Sequence, residues 1–214
     1  MPVSRLLFVL VLAACASPTA PDPQNAAPAI TANELPDGTN AASDPLWQPA
    51  DTGLLHIESG VTCPSIVADF AFTGEVAFPG QGPGRDVACN YIAETGGAIR
   101  LHITRFARTV STDAYLKGSL ETIKARYRQT VAINPPSSTP GRPITPSAAA
   151  LRTDALSANR PGTPVDTALW IEQVGDWHIK IRATYEIDRT AAAATAVSTL
   201  FSAVRADLSD LTVY

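Results

Sequence analysis

The spacing of apolar residues switches between two periods along this chain. Ile99, Leu101 and Ile103 alternate with Arg100, His102 and Thr104. A period of two puts the apolar set on one face and the polar set on the other, which predicts a half-buried antiparallel strand. The same alternation returns with Trp177, Ile179, Ile181, Ala183 and Tyr185 against His178, Lys180, Arg182 and Thr184. Thr167 to Val174 reads as the strand before it, with Gly175-Asp176 as a two-residue hairpin turn. Earlier, Ile66, Ala68, Phe70 and Phe72 form the apolar face of one strand, Val87, Cys89 and Tyr91 that of another, and Leu55-His56-Ile57 is a shorter candidate. Residues 149–157 are rich in alanine, which favours helix, but they lead through Pro161-Gly162 into a meander and are read as strand.

Helical spacing governs two other segments. Leu116, Leu120, Ile123 and Tyr127 share one face, while Lys117, Glu121, Lys124 and Arg128 make a polar stripe. Ser111 or Thr112 supplies the N-cap, Asp113 suits the positive end of the helix dipole, and Asn134-Pro135-Pro136 stops the run. Near the end of the chain, Val197, Leu200, Phe201, Val204 and Leu208 form a second stripe behind Asp188 as N-cap.

Together these elements predict an α+β fold, an antiparallel β-sheet with two amphipathic helices packed on its apolar face. Residues 99–104 align with residues 179–184, and each is followed by a cap and a helix. That is the pattern of a duplicated strand-helix unit. Any two half-buried strands followed by helices would look alike, so both readings stand at this point. The order of elements is loosely similar to PsbP/Mog1-type sheets, a resemblance of fold that implies no function.

The chain opens with Arg5, then the apolar run Leu6 to Leu12, then small residues. This is the arrangement of a secretory signal, and the run is too short to cross a bilayer as a helix, which takes about 20 apolar residues. Leu12-Ala13-Ala14-Cys15 resembles the lipobox of bacterial lipoproteins. The resemblance implies that residues 1–14 are a signal peptide and that Cys15 becomes the first residue of the mature chain. It also implies a diacylglycerol on the Cys15 thiol and an acyl chain on its new amino group, so the membrane partner is reached through the lipid anchor. Ala16 follows where an aspartate would resemble a retention signal, so the expected location is the outer membrane, with the domain facing the periplasm. Residues 15–46 carry prolines among small polar residues with no apolar periodicity, and read as a flexible tether. Residues 47–214 are the predicted periplasmic domain.

Composition supports a folded domain, since 45% of the residues are apolar. The 18 prolines cluster in the tether and in a loop at residues 134–147, where Pro140-Gly141-Arg142-Pro143 is formally a PxxP motif but reads as a stiff connector. The net charge of −4 hides an uneven distribution. No lysine or arginine lies between Arg5 and Arg85, whereas Arg100, Arg105, Arg108, Lys117, Lys124, Arg126 and Arg128 face only Asp113 and Glu121. An acidic tether and a basic mid-domain stretch would make a dipolar molecule. Lipidation of Cys15 would leave Cys63 and Cys89 as a pair in an oxidising compartment, where a disulfide is the default. A metal or redox role for them lacks the C-x-x-C spacing and a neighbouring histidine.

Motifs of catalysis are few. The histidines are His56, His102 and His178, and no two stand at metal-ligand spacing. There is no G-x-S-x-G and no H-E-x-x-H. Pro79 to Gly84 has the glycine content of a phosphate loop, but Pro83 interrupts it and no Gly-Lys-Ser/Thr follows, so a hairpin loop is expected. No catalytic residue, metal or cofactor is therefore assigned, and no nucleic-acid partner is expected. The alternative is an envelope hydrolase whose serine, histidine and acid come from distant parts of the chain. The basic residues are the better lead. Arg100, His102, His178, Lys180 and Arg182 fall on the polar faces of their strands and should reach solvent together if those strands are neighbours. Such a face suits an anionic glycan or lipid (lipid A phosphates, peptidoglycan carboxylates) or an acidic loop of an envelope protein, although an ordinary charged outer face would present the same residues.

Overall fold

A computed structural model describes residues 45–136, 147–156 and 162–210. Cys15, the signal peptide, nearly all of the tether and the PxxP segment lie outside the described residues. Strands β1 (Trp47–Ala50), β2 (Gly53–His56) and β3 (Thr62–Pro64) form a small antiparallel sheet. The large sheet contains β4 (Ile66–Val67), β5 (Phe70–Ala77), β6 (Asp86–Ala93), β7 (Ala98–Thr104), β8 (Thr130–Ile133), β9 (Ser147–Leu156), β10 (Pro164–Val174) and β11 (Trp177–Glu186). Its order is β4-β5-β6-β7-β11-β10-β9-β8, with every neighbouring pair antiparallel. Helix α1 (Thr112–Arg126) follows β7, and α2 (Thr190–Asp210) follows β11. Among these residues no helix is long and apolar enough to cross a membrane.

The strands obey a local twofold relation. Two four-strand meanders, β4 to β7 and β8 to β11, meet along β7 and β11, where Leu101 lies opposite Ile181. A dyad through that pair relates Arg100 to Lys180 and His102 to Arg182, which is the alignment of residues 99–104 with 179–184. The helices break the relation. Trp170 pairs with Ile181 and Leu169 pairs with Arg182, so neighbouring residues of β10 mark the two opposite faces. Helix α2 lays Ala196, Val197, Leu200, Phe201 and Val204 into the core that holds Leu101, Ile181 and Trp170. Helix α1 packs Leu116, Leu120, Ile123 and Tyr127 on Leu151, Val165 and Leu169, which belong to the other face. The expectation of two helices on one apolar face is thus corrected. The β9–β10 half of the polar face carries its own leucines and valine, and the narrow stripe of α1 covers them.

The disulfide joins Cys63 to Cys89, with Cα atoms 6.2 Å apart and both side chains at 0% exposure. It fastens the small sheet, through β3, to β6 of the large one. Ser111 caps α1, its Oγ accepting from the Ala114 N–H at 3.2 Å. The helix ends at Arg126, well before the proline pair, and Thr130–Ile133, between them, is an edge strand. Ile66 to Phe72 is two strands, because a tight turn at Ala68-Asp69 lets Val67 pair with Phe70. Ala68 takes a φ of 53° there, a conformation usually signalled by glycine or asparagine and here held by an alanine. Asp188 lies inside a 3₁₀ turn (Ile187–Arg189) directly ahead of α2.

Candidate functional site

The β7–β11 register brings the basic residues onto one face. His102 lies opposite Lys180, Arg100 opposite Arg182, and His178 opposite Thr104. On the next strand Asn90 pairs with Arg100, Ala88 with His102 and Asp86 with Thr104. The four central side chains, Arg100, His102, Lys180 and Arg182, form a two-by-two array on the sheet. They are half-buried, not open to solvent as the strand pattern implied. The cause is the helix on that face. Tyr115 of α1 sits over the Lys180 ammonium, 4.7 Å from Nζ to the ring centroid, and Arg126 at the far end of α1 is close enough to act on Arg100. On the opposite flank Phe78, just past the end of β5, stacks on the His102 ring with centroids 5.6 Å apart and planes 17° from parallel.

Crowding and burial set the protonation of this cluster. Burial pulls the Lys180 ammonium down to about 8, with Arg182 and Arg100 adding to the shift and Asp86 opposing it. Burial holds His102 well below the usual imidazole range, reinforced by Lys180, Arg100 and Arg182, so its ring is neutral at pH 7. Arg100 comes down to about 10, through burial first and then the charges of Arg182 and Arg126. Asp86 moves up because it is buried, against a hydrogen bond that Thr104 Oγ1 donates to its Oδ1 at 2.9 Å and against the Lys180 charge. Arg100 Nε donates to Asn90 Oδ1 at 2.7 Å, while Arg100 Nη2 is buried with no acceptor among the described residues.

His178 does not belong to this array. It is buried at 4% exposure, and its Nε2–H donates to the Val110 carbonyl at 2.9 Å. Phe106 and Tyr115 pack edge-on against its ring, and burial lowers its pKa. It ties the segment between β7 and α1 to β11, a structural duty that corrects its place among the candidate ligand residues. The wider basic stretch also divides: Arg105 reaches Glu58 and Asp176, and Lys124 reaches Glu121. His56, the last residue of β2, meets the Ser59 hydroxyl at 2.8 Å, but both side chains have 0% exposure and the ring packs against Trp47 and Trp177. Among the described residues no group of histidines, cysteines and carboxylates could hold a metal ion.

Period-two reading found the four central residues. It missed Phe78, Asp86, Asn90, Tyr115 and Arg126, because each arrives from another element and nothing in its own neighbourhood marks it. In a comparison with protein families, curated proteins and solved structures, no match to this chain is found.

Proposed function

We propose that this is a lipid-anchored protein of the bacterial outer membrane whose periplasmic domain binds an anionic envelope ligand without catalysing a reaction. The lipobox-like Leu12-Ala13-Ala14-Cys15 supports the address. The binding role rests on one observation: three cationic side chains and a neutral histidine gathered in register on a single half-buried patch. Like charges placed directly opposite each other across a strand pair destabilise a sheet. Arg100 stands opposite Arg182 in the middle of the largest sheet, and the charge of Arg182 lowers the Arg100 pKa. A bound anion would offset that repulsion. The hydrolase alternative gains little support: among the described residues the histidine hydrogen-bonded to a hydroxyl is His56, which has no exposed surface.

The test uses the full chain with Cys15→Ser, so that no lipid anchor contributes. The protein is sedimented with purified peptidoglycan and with outer-membrane vesicles at several salt concentrations. Retention that weakens with salt and is lost in Arg182→Gln is the expected result. No retention on any anionic fraction, or equal retention of the variant, would overturn the reading.

A further inference from the structure

The array has features that narrow the ligand. Its donors come from the facing strands β7 and β11, beside the charge of Arg126 at the end of α1. A carboxylate offers two oxygens in one plane and a single negative charge. A phosphoryl group offers three oxygens in a tetrahedral arrangement and up to two charges. Arginine's planar fork suits either anion, but two arginines and a lysine on one patch, offset only in part by the Asp86 carboxylate near Lys180, suit the greater charge and number of acceptors of the second. The orphaned Arg100 Nη2 is the second observation. A buried guanidinium N–H without a partner is costly and calls for an explanation, and an oxyanion oxygen would supply the missing acceptor. Neutral His102 adds one N–H without adding charge, and Phe78 and Tyr115 flank the patch with rings, where partial burial strengthens each charge-assisted bond.

We infer that Arg100, His102, Lys180 and Arg182 form a phosphoryl-binding subsite, selective for phosphate groups over carboxylates. This rests on the anion-binding reading above and specifies its chemistry. The phosphate group is common to free phosphate, phosphorylated sugars and phospholipid headgroups, and the experiment separates those sources.

The full chain carrying Cys15→Ser is titrated by calorimetry with inorganic phosphate, with glucose 1-phosphate and with glucuronate. It is also floated with phosphatidylcholine vesicles with and without phosphatidic acid. At least one phosphate-bearing probe should bind ten or more times more tightly than glucuronate. Arg100→Gln and Arg182→Gln should each weaken it tenfold or more, while Lys117→Gln, on an exposed turn of α1, should change nothing. Binding by the soluble phosphates assigns the source to phosphate or phosphosugars, and binding by phosphatidic acid vesicles alone assigns it to a lipid headgroup. Circular dichroism and a thermal melt check each variant. Should the glutamine forms fail to fold, Arg182→Lys keeps the charge and loses the fork, and is expected to lower phosphate affinity severalfold. Glucuronate binding as well as the phosphates overturns the phosphoryl inference and leaves the anionic-ligand reading intact. Phosphate binding that survives in the folded arginine variants also overturns it. Binding of no anion by the wild-type chain overturns both.

Discussion

Lys180 should cost the folded protein stability, and replacing it should show this directly. Its ammonium is held at about 8, against an ordinary 10.5, by burial above all. Each unit of such a shift corresponds to about 1.4 kcal/mol between the protonated and neutral forms. At pH 7, where Lys180 is charged in both states, the fold therefore carries a penalty of about 3 kcal/mol. Lys180→Met keeps an unbranched stem of similar length beneath Tyr115 and removes the charge. The loss of the ring contact to Tyr115 returns part of the gain, about 1 kcal/mol. The variant should be more stable than wild type by about 1–3 kcal/mol at pH 7. Between about pH 8 and pH 10.5 the unfolded wild-type chain still binds the proton that the folded one has lost, so this group raises wild-type stability as pH rises. The gap between the two proteins should narrow across that window and nearly close above it. Urea melts at pH 7, 8, 9 and 10 measure it. Sulfate, whose charge is constant over the range, should close part of the gap by stabilising wild type more than the variant, which lacks one cation of the array. A variant less stable than wild type at pH 7, or a gap that does not change with pH, would refute the account.

Other expectations follow from the same contacts. Cys63→Ala with Cys89→Ala opens a crosslink of 26 residues' separation and should cost about 3 kcal/mol, measured by urea unfolding; a loss below about 1 kcal/mol would mean that the small sheet is held otherwise. Ile123→Ala empties the buried centre of the α1 interface and should cost about 2–4 kcal/mol; because α1 carries Tyr115 and Arg126, phosphate binding should weaken as well. Cys15→Ser should abolish labelling by radioactive fatty acid and release the protein to the soluble fraction, and recovery in a salt-washed membrane pellet at wild-type levels would count against the lipid anchor.

Local periodicity was enough for the strands that matter most. Residues 99–104 and 177–185 each bury one whole face, and a period of two allows only one assignment of their side chains, so the four central basic residues were placed on one side of each strand before any tertiary contact was known. The stripe of α2 was equally plain, because Val197, Leu200, Phe201, Val204 and Leu208 meet a core on one side only. The pairing of Cys63 with Cys89 was expected from the lipobox resemblance, and the disulfide is present. The turn at Ala68-Asp69 was not, since the residues that usually announce a positive φ are absent. Nor was strand β8, whose four residues pair only with β9 and lie between a helix and a proline pair. The face chosen by α1 was decided by tertiary structure alone. An amphipathic stripe states that a helix needs an apolar surface and says nothing about which surface is free; here the core face was taken by α2, and the leucines of β9 and β10 offered the other. That choice turned a solvent-facing row of basic residues into a half-buried array. Burial depends on what packs above a residue, which its own neighbours in sequence cannot state.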